Sequence, residues 1–220
     1  NEFIKLMKEL FPYDAKSELL NRISTLGFYL GDKLQMTKLI IENTPNWKSI
    51  IPNTIIFNKI DSNQTELLLK LQQEFDNTII AKPAYGQQGI GIKISNDYNE
   101  IVNYIYTTEE NYWVISKYLS NPYLIKLNKV GVSGVIYNDT YGRKAHLRAY
   151  VLLFKKNGLL RVFMYKKSLI FCAAKEYNSC NQENTEFCNL TNLYFGSLYY
   201  KSINKNSNDP YKDLSSIAQE

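Results

Sequence analysis

Acidic residues are missing from one long stretch of this chain: between Arg143 and Lys175 there are nine Lys and Arg but no Asp or Glu. Histidine is nearly absent, with His146 alone in 220 residues. The three cysteines, Cys172, Cys180 and Cys188, follow one another at intervals of eight. That spacing fits no zinc-ligand pattern, and an odd number suits a reducing compartment better than a disulfide framework, so they read as three unremarkable thiols. No apolar run reaches about 18 residues, so no membrane span is expected. The opening Asn1-Glu2-Phe3 has no initiator Met and no signal-peptide pattern, and reads as an internal start. There is no internal repeat.

Against these absences, hydrophobic residues make up 45% of the chain and tyrosines number 18. That composition supports a real core and excludes global disorder. The length suits one sizeable domain or two small ones. Net charge is +5, and the acid-free stretch accounts for more than all of it. A solvated face usually mixes signs. A single-sign stretch implies an acidic partner: nucleotide phosphates, nucleic acid or an acidic peptide.

The most informative segment is Ile79-Ile80-Ala81-Lys82-Pro83-Ala84-Tyr85-Gly86-Gln87-Gln88-Gly89-Ile90-Gly91-Ile92-Lys93-Ile94. An apolar run ends in a lysine, and three glycines precede an alternating strand with Ile90, Ile92 and Ile94 on one face. This predicts a β-hairpin whose glycine loop lets backbone N–H groups approach an anion, with Lys82 adding charge for a phosphate. It lacks the Gly-Lys-Ser/Thr ending of a Walker loop. It leads into a strand, unlike a Rossmann fingerprint. A purely structural hairpin would use the same letters.

Elsewhere the periodicity predicts helices over residues 1–26, interrupted at Pro12, and a short helix carrying Met36, Leu39 and Ile40 after the polar Gly31-Asp32-Lys33. A strand is expected at Ile55–Phe57, and a helix from Thr65 to Phe75 with Leu67, Leu68 and Leu71 inward. Asp97 and Glu100 read as a capping box for a helix through Thr107. A strand runs from Tyr112 to Leu119, and residues 120–142 read as a loop with a small hairpin. Lys144 to Phe154 reads as one strand, joined by a Lys156-Asn157-Gly158 turn to an antiparallel partner over Leu160–Lys166. The tail from Lys201 is polar and reads as mobile.

Within the 144–154 strand, alternate residues share a face. Lys144, His146, Arg148 and Tyr150 point one way; Leu147, Ala149, Val151 and Leu153 point the other and are expected to face the core. The polar set suits a polyphosphate or carboxyl-phosphate, and Arg148 can clamp phosphate oxygens with a planar fork. A solvated edge strand would alternate in the same way. His146 sits among ligand-binding types, yet a sole histidine also serves structure, and no general-base role follows from sequence.

Four segments in register resemble the tubulin tyrosine ligase-like family of ATP-grasp ligases. They are Lys82-Pro83 with Gly86, Gly89 and Gly91; Val114 to Pro122; Gly142-Arg143-Lys144-Ala145-His146-Leu147-Arg148-Ala149-Tyr150-Val151-Leu152; and Asn189-Leu190-Thr191-Asn192. The resemblance implies an α+β, ATP-grasp-like fold, with antiparallel sheets and flanking helices around a nucleotide cleft. It implies an N-terminal subdomain over 1–60, a central subdomain over 61–122, part of a C-terminal subdomain over 123–200, and a tail over 201–220. It also implies an ATP-dependent carboxylate–amine ligase that adds tyrosine, glutamate or glycine to a protein through an acyl-phosphate. By the same resemblance, Lys82, Gly86, Gln87, Gly89 and Gly91 hold phosphates. Lys117, Tyr118 and Leu119 form the hinge against adenine. Lys144, His146 and Arg148 contact phosphates or the reacting carboxylate, with Lys144 and Arg148 as the catalytic pair, and Thr191 and Asn192 line the far side of the nucleotide.

The implied partner is an acidic protein tail, foremost that of tubulin in microtubules. The implied location is the cytoplasm, with the cytoskeleton or a cilium. Departures are visible. The family usually has Asp at His146, His at Asn189 and, in some members, a substrate-gripping Arg at Phe171. Its magnesium ligands, an Asp and then Glu-x-Asn, come after the Thr191-Asn192 motif. Here Glu176-Tyr177-Asn178 precedes that motif and reads as chance, so magnesium is expected but without ligands in this chain. The metal-binding C-terminal portion is therefore expected to be absent from it. An inactive relative acting as a microtubule-associated scaffold remains open, as does, more remotely, a nucleic-acid binder using Phe154, Phe163 and Tyr165 between its cations.

Overall fold

The structure, a computed structural model, describes residues 29–130, 136–156, 159–178, 186–192, 196, 198 and 199. The expected helices before residue 27, the turn residues Asn157 and Gly158, and the tail from Lys201 lie outside these residues. The described residues form two compact units: those up to Gly86 together with Gly91–Tyr118, and Gln87–Ile90 together with those from Leu119 onward.

The first unit is built on a four-stranded antiparallel sheet. Its strands are β1 (Thr54–Asn58), β2 (Ile79–Pro83), β3 (Lys93–Ser95) and β4 (Tyr112–Lys117), ordered β1-β4-β2-β3. Alternation gives the sheet two faces. Ile55 and Phe57 from β1, Ile79 and Ala81 from β2, and Trp113 and Ile115 from β4 make one core face. Helix α2 (Gln64–Glu74) covers it with Leu67 and Leu71, and α3 (Tyr98–Thr107) with Ile101, Val102 and Ile105. Each of these aliphatic side chains contributes roughly 1.5–3 kcal/mol by leaving water. Trp113 is fully buried, and its indole N–H donates to the Glu110 carbonyl at 3.1 Å. Helix α1 (Lys33–Asn43) contacts β1 and β4 outside this cluster. On the face that alternation assigns to it lie Thr54 and Ser116, both buried and hydrogen-bonded to each other at 2.9 Å.

The helix starts show where local letters mislead. The Asp97–Glu100 capping box does not form. Asp97 accepts from the Asn99 N–H at 2.9 Å, while Glu100 is drawn to Lys93 and the Ser95 hydroxyl. A charged partner on the adjacent strand outcompetes a neutral backbone N–H. A complete capping box closes α2 instead, between Asn63 and Glu66. The strand expected from Ile90 begins only at Lys93, because Gly89 and Gly91 hold positive φ angles of 81° and 76° and keep Ile90 in a turn.

In the second unit, β8 (Arg143–Arg148) is the centre of a three-stranded antiparallel sheet, flanked by β11 (Leu169–Cys172) and β5 (Leu124–Ile125). Strands β6 (Asn128–Val130) and β7 (Ile136–Asn138) form the small hairpin expected within 120–142, and β9 (Val151–Lys156) pairs with β10 (Leu159–Met164). The single strand expected over 144–154 is therefore two, broken at Ala149 and Tyr150, with β8 and β9 in different sheets. A short helix, α4 (Glu186–Asn189), precedes Leu190 and Thr191. Cys172 forms no disulfide, but Cys188 is disulfide-bonded, which corrects the expectation of three unremarkable thiols. Sequence spacing does not report the distance between sulfurs in space.

An ion pair is largely enclosed within this unit. The Arg143 guanidinium meets the Asp139 carboxylate through two bonds of 2.8 Å, and the two side chains are 12% and 2% exposed. Arg143 also donates to the carbonyls of Ala173 and Ala174, and Asp139 accepts the Leu127 N–H at 3.0 Å. Arg143 is thus neutralised internally and does not add to the basic surface that its sequence neighbours suggest.

Candidate functional site

In the first unit, the feature of chemical interest is Lys82. It sits next to the end of β2, opposite Val114 of β4, and alternation turns it away from the α2–α3 core. The side chain is half-buried, and among the described residues its ammonium makes no hydrogen bond or ion pair. Burial first, and then the nearby Lys33 ammonium, push its pKa below the ordinary lysine value. An unpaired, desolvated cation beside a second cation is a site that gains from an anion.

Lys33 is the residue that sequence reading missed. Asp32 caps α1 by accepting the Gln35 N–H at 2.9 Å, which places Lys33 at the first helical position. From there its ammonium donates to the Ala84 carbonyl at 3.3 Å and to the Gly86 carbonyl, pinning the start of the glycine loop. The signal available was the Gly31-Asp32-Lys33 segment: a cap residue followed by a cation.

The loop between β2 and β3 is a series of turns. Gly86 N–H donates to Pro83 O at 3.3 Å and Ile90 N–H to Gln87 O at 3.0 Å. Gln88 also holds a positive φ of 55°, uncommon for a residue with a side chain. At Gly91 a Cβ would come within 3.0 Å of Pro83 Cγ, on top of its positive φ, so glycine is required there on both counts. At the far end of β4, Lys117 pairs with Asp76 at 3.4 Å in an exposed ion pair, Tyr118 is buried, and Leu119 is 60% exposed. Of the three residues expected to form a hinge, Lys117 thus already has an intramolecular partner.

In the second unit, Lys144, His146 and Arg148 do share one face of β8 by alternation. The expected burial is reversed, however. Leu147 on the opposite face is 64% exposed, whereas Phe171, directly across from His146 on β11, is 7% exposed. The aromatic partner comes from another strand, so alternation within β8 could not say which face would be covered. The His146 and Phe171 rings stack with centroids 5.1 Å apart and planes 13° apart, and the Arg148 guanidinium carbon lies 4.6 Å from the Phe171 ring centroid. His146 Nδ1 is hydrogen-bonded to the Thr191 hydroxyl, which brings the expected Thr191 onto the β8 face. Asn192 follows, half-buried. Because Leu147 is exposed, Leu147→Ala should change stability by no more than about 0.5 kcal/mol in a urea melt, not by the larger loss expected of a core leucine.

Partial burial, and then Arg148, hold the His146 pKa below its ordinary 6.5. The folded chain therefore binds this proton more weakly than the unfolded chain. The stability that neutral His146 allows is complete above pH 6.5 and is lost as pH falls through 6.5 toward the lower folded value. Stability measured from pH 7 downward should fall, and His146→Gln should flatten that part of the curve; an unchanged slope would remove His146 as its source.

Within Glu176-Tyr177-Asn178, the acidic side chain is engaged by the backbone. The Glu176 carboxylate accepts the backbone N–H groups of Tyr141 and, at 3.1 Å, Gly142, and the Tyr141 bond leads in lowering its pKa. Among the described residues, no group of three or more His, Cys, Asp and Glu side chains is placed to hold a metal ion. The described residues thus offer no ready-made cluster of acidic oxygen ligands of the kind magnesium uses. No described helix is long and apolar enough to cross a membrane.

The model of the tubulin-tyrosine ligase family matches residues 29–219. Among curated proteins, tubulin glycylase 3F of Tetrahymena thermophila is 26% identical over 205 residues, which is 93% of this chain and 20% of that protein. Tubulin glycylase 3C of the same organism is 31% identical over 117 residues, 53% of this chain and 9% of that protein. Tubulin glycylase 3B of Drosophila melanogaster is 24% identical over 143 residues, 65% and 17% of the two chains. The chain spans a fifth or less of the length of these relatives.

Proposed function

We infer the function from a plain premise: the chain belongs to the tubulin-tyrosine ligase family. The family implies an ATP-grasp-like fold, and the mixed helices and antiparallel sheets agree with it. We propose that the chain is the nucleotide-handling part of an ATP-dependent carboxylate–amine ligase acting on the acidic tail of tubulin. Glycine is the favoured amino acid, because the relatives are tubulin glycylases. In such a reaction a carboxylate oxygen of the acceptor takes the terminal phosphoryl group and ADP leaves. The amine then attacks the acyl carbon, phosphate leaves, and the amine gives up a proton to complete the amide.

The observation that carries this reading is the half-buried, unpaired Lys82 ammonium beside a glycine loop whose first turn Lys33 holds. By the family pattern, Lys82 and the backbone N–H groups of Gly86 and Gly91 in the first unit, and those of Gln87 and Gly89 in the second, would meet phosphate oxygens; Lys117 and Tyr118 of the first unit and Leu119 of the second would meet adenine. In the second unit, Lys144 and Arg148 would meet phosphate or the reacting carboxylate, and His146, Thr191 and Asn192 the nucleotide. The remaining cations of the 144–175 stretch would attract an acidic acceptor. No step is assigned to magnesium, since the described residues offer no ready-made cluster of its acidic ligands.

The test is incorporation of labelled glycine into tubulin by the full polypeptide. Incorporation that needs ATP, and that Arg148→Ala reduces by about 10-fold or more in a chain with an unchanged melting temperature, is the expected result. ATP binding without incorporation would favour a scaffold that keeps the nucleotide site. Failure of the full polypeptide to bind ATP would reject the site altogether.

A further inference from the structure

Arg148 is the last residue of β8 and is exposed, so its long side chain would by itself sample many rotamers. Its position is nevertheless shared with a ring. In the β8–β11 register, Arg148 lies opposite Leu169 and His146 opposite Phe171. The guanidinium reaches diagonally to the Phe171 ring at 4.6 Å, the same ring on which His146 stacks at 5.1 Å. Phe171 is 7% exposed and therefore fixed, and His146 is in turn held by the Thr191 hydroxyl. Two side chains of β8 thus meet on one ring of β11, and Thr191, after α4, holds one of the two.

We propose that Phe171 is a positioning residue for Arg148: the negative face of its ring holds the guanidinium over β8, so that the fork is already oriented when an anionic ligand arrives. The proposal rests on the reading that Arg148 contacts the nucleotide phosphates or the reacting carboxylate. A ring face attracts a guanidinium electrostatically, which an aliphatic side chain of similar volume cannot do. Leucine at 171 would fill much of the space but leave Arg148 free to swing. Tyrosine would keep the face. Pre-orientation lowers the ordering cost of binding and adds no contact to the ligand, so the effect belongs to affinity.

The test uses the full polypeptide and a non-hydrolysable ATP analogue titrated by calorimetry. Arg148→Ala is measured first. Phe171→Tyr should bind like wild type, whereas Phe171→Leu should bind about two- to tenfold more weakly. Should Phe171→Leu lower the melting temperature, a ring-fluorinated phenylalanine in place of Phe171 keeps shape and burial while depleting the negative face, and should show the same loss. In an Arg148→Ala background, neither replacement should weaken binding further. A loss that persists in that background, or no loss when the ring is fluorinated, would make Phe171 a core residue only and overturn the proposal. If Arg148→Ala itself leaves affinity unchanged, the ligand role of Arg148 fails and this inference fails with it, while the Lys82 site stands or falls by its own variant.

Discussion

Asp139→Ala should cost about 3–5 kcal/mol of folding stability, the largest single loss expected in the second unit. The Asp139 carboxyl is 2% exposed and accepts both arms of the Arg143 fork at 2.8 Å and the Leu127 N–H at 3.0 Å. Truncation takes the carboxylate away from a guanidinium that is 12% exposed and strips the part-buried Leu127 N–H of its acceptor. Small domains have only about 5–15 kcal/mol in reserve, so the variant should unfold at markedly lower urea. Asp139→Asn keeps the shape and loses the charge, and should fall between wild type and Ala. The pair itself is not expected to add much net stability: Arg143→Met with Asp139→Leu should recover most of the loss, because two buried charges and their desolvation disappear together. A urea midpoint for Asp139→Ala within error of wild type would mean that water reaches the pair.

Lys82→Ala should weaken ATP binding by roughly 1.5–3 kcal/mol, about 10- to 100-fold, the value of a charged hydrogen bond. The same site predicts an opposite effect on the unliganded chain. Burial and Lys33 lower the Lys82 pKa from 10.5, so between the folded value and 10.5 the unfolded chain binds more protons than the folded one. Stability therefore rises with pH across that window, and below it the folded state carries the full penalty of a desolvated ammonium. Lys82→Met, which keeps the stem and removes the charge, should stabilise the ligand-free chain by about 0.5–2 kcal/mol while abolishing the gain from nucleotide. Thermal melts with and without ATP separate the two effects. A Lys82→Met chain that is less stable than wild type without ligand would show that the ammonium has a stabilising partner.

What the sequence could tell depended on how local each interaction is. Helix α2 was legible because Leu67 and Leu71 face one sheet at helical spacing. Strand β4 was legible because a β-rich run between turn signals leaves few alternatives. The turn at Gly91 was not legible: alternation suggested a strand from Ile90, and the positive φ angles at Gly89 and Gly91 delay it to Lys93. Lys33 was not legible, because its partners Ala84 and Gly86 lie 51 and 53 residues away. Leu147 failed for a related reason. Alternation separates two faces but does not say which one a second strand will cover, and Phe171 chose the polar one. Glu100 shows competition: Asp97 caps its helix, but Lys93 and Ser95 took the carboxylate that the expected capping box needed. In the candidate site, residue types and their grouping on β8 came from the sequence, while the stacking of His146 and Arg148 on one ring needed the β8–β11 register.

The β9–β10 hairpin has a consequence for the order in which the chain opens. Each residue of β10 is exposed, including Leu160 at 61%, Val162 at 61% and Met164 at 73%, and among the described residues the pair forms a sheet with no third strand. Strand β4, in contrast, is paired on both edges, with Trp113 and Ile115 fully buried. Amide protons report such differences directly, because exchange follows the cheapest opening available. The hairpin amides are released by local separation of two strands that bury little. Those of β4 wait for the loss of the whole first unit. Exchange rates in this one chain should therefore span the range from local fraying to global unfolding, with the basic hairpin the first element to let solvent in.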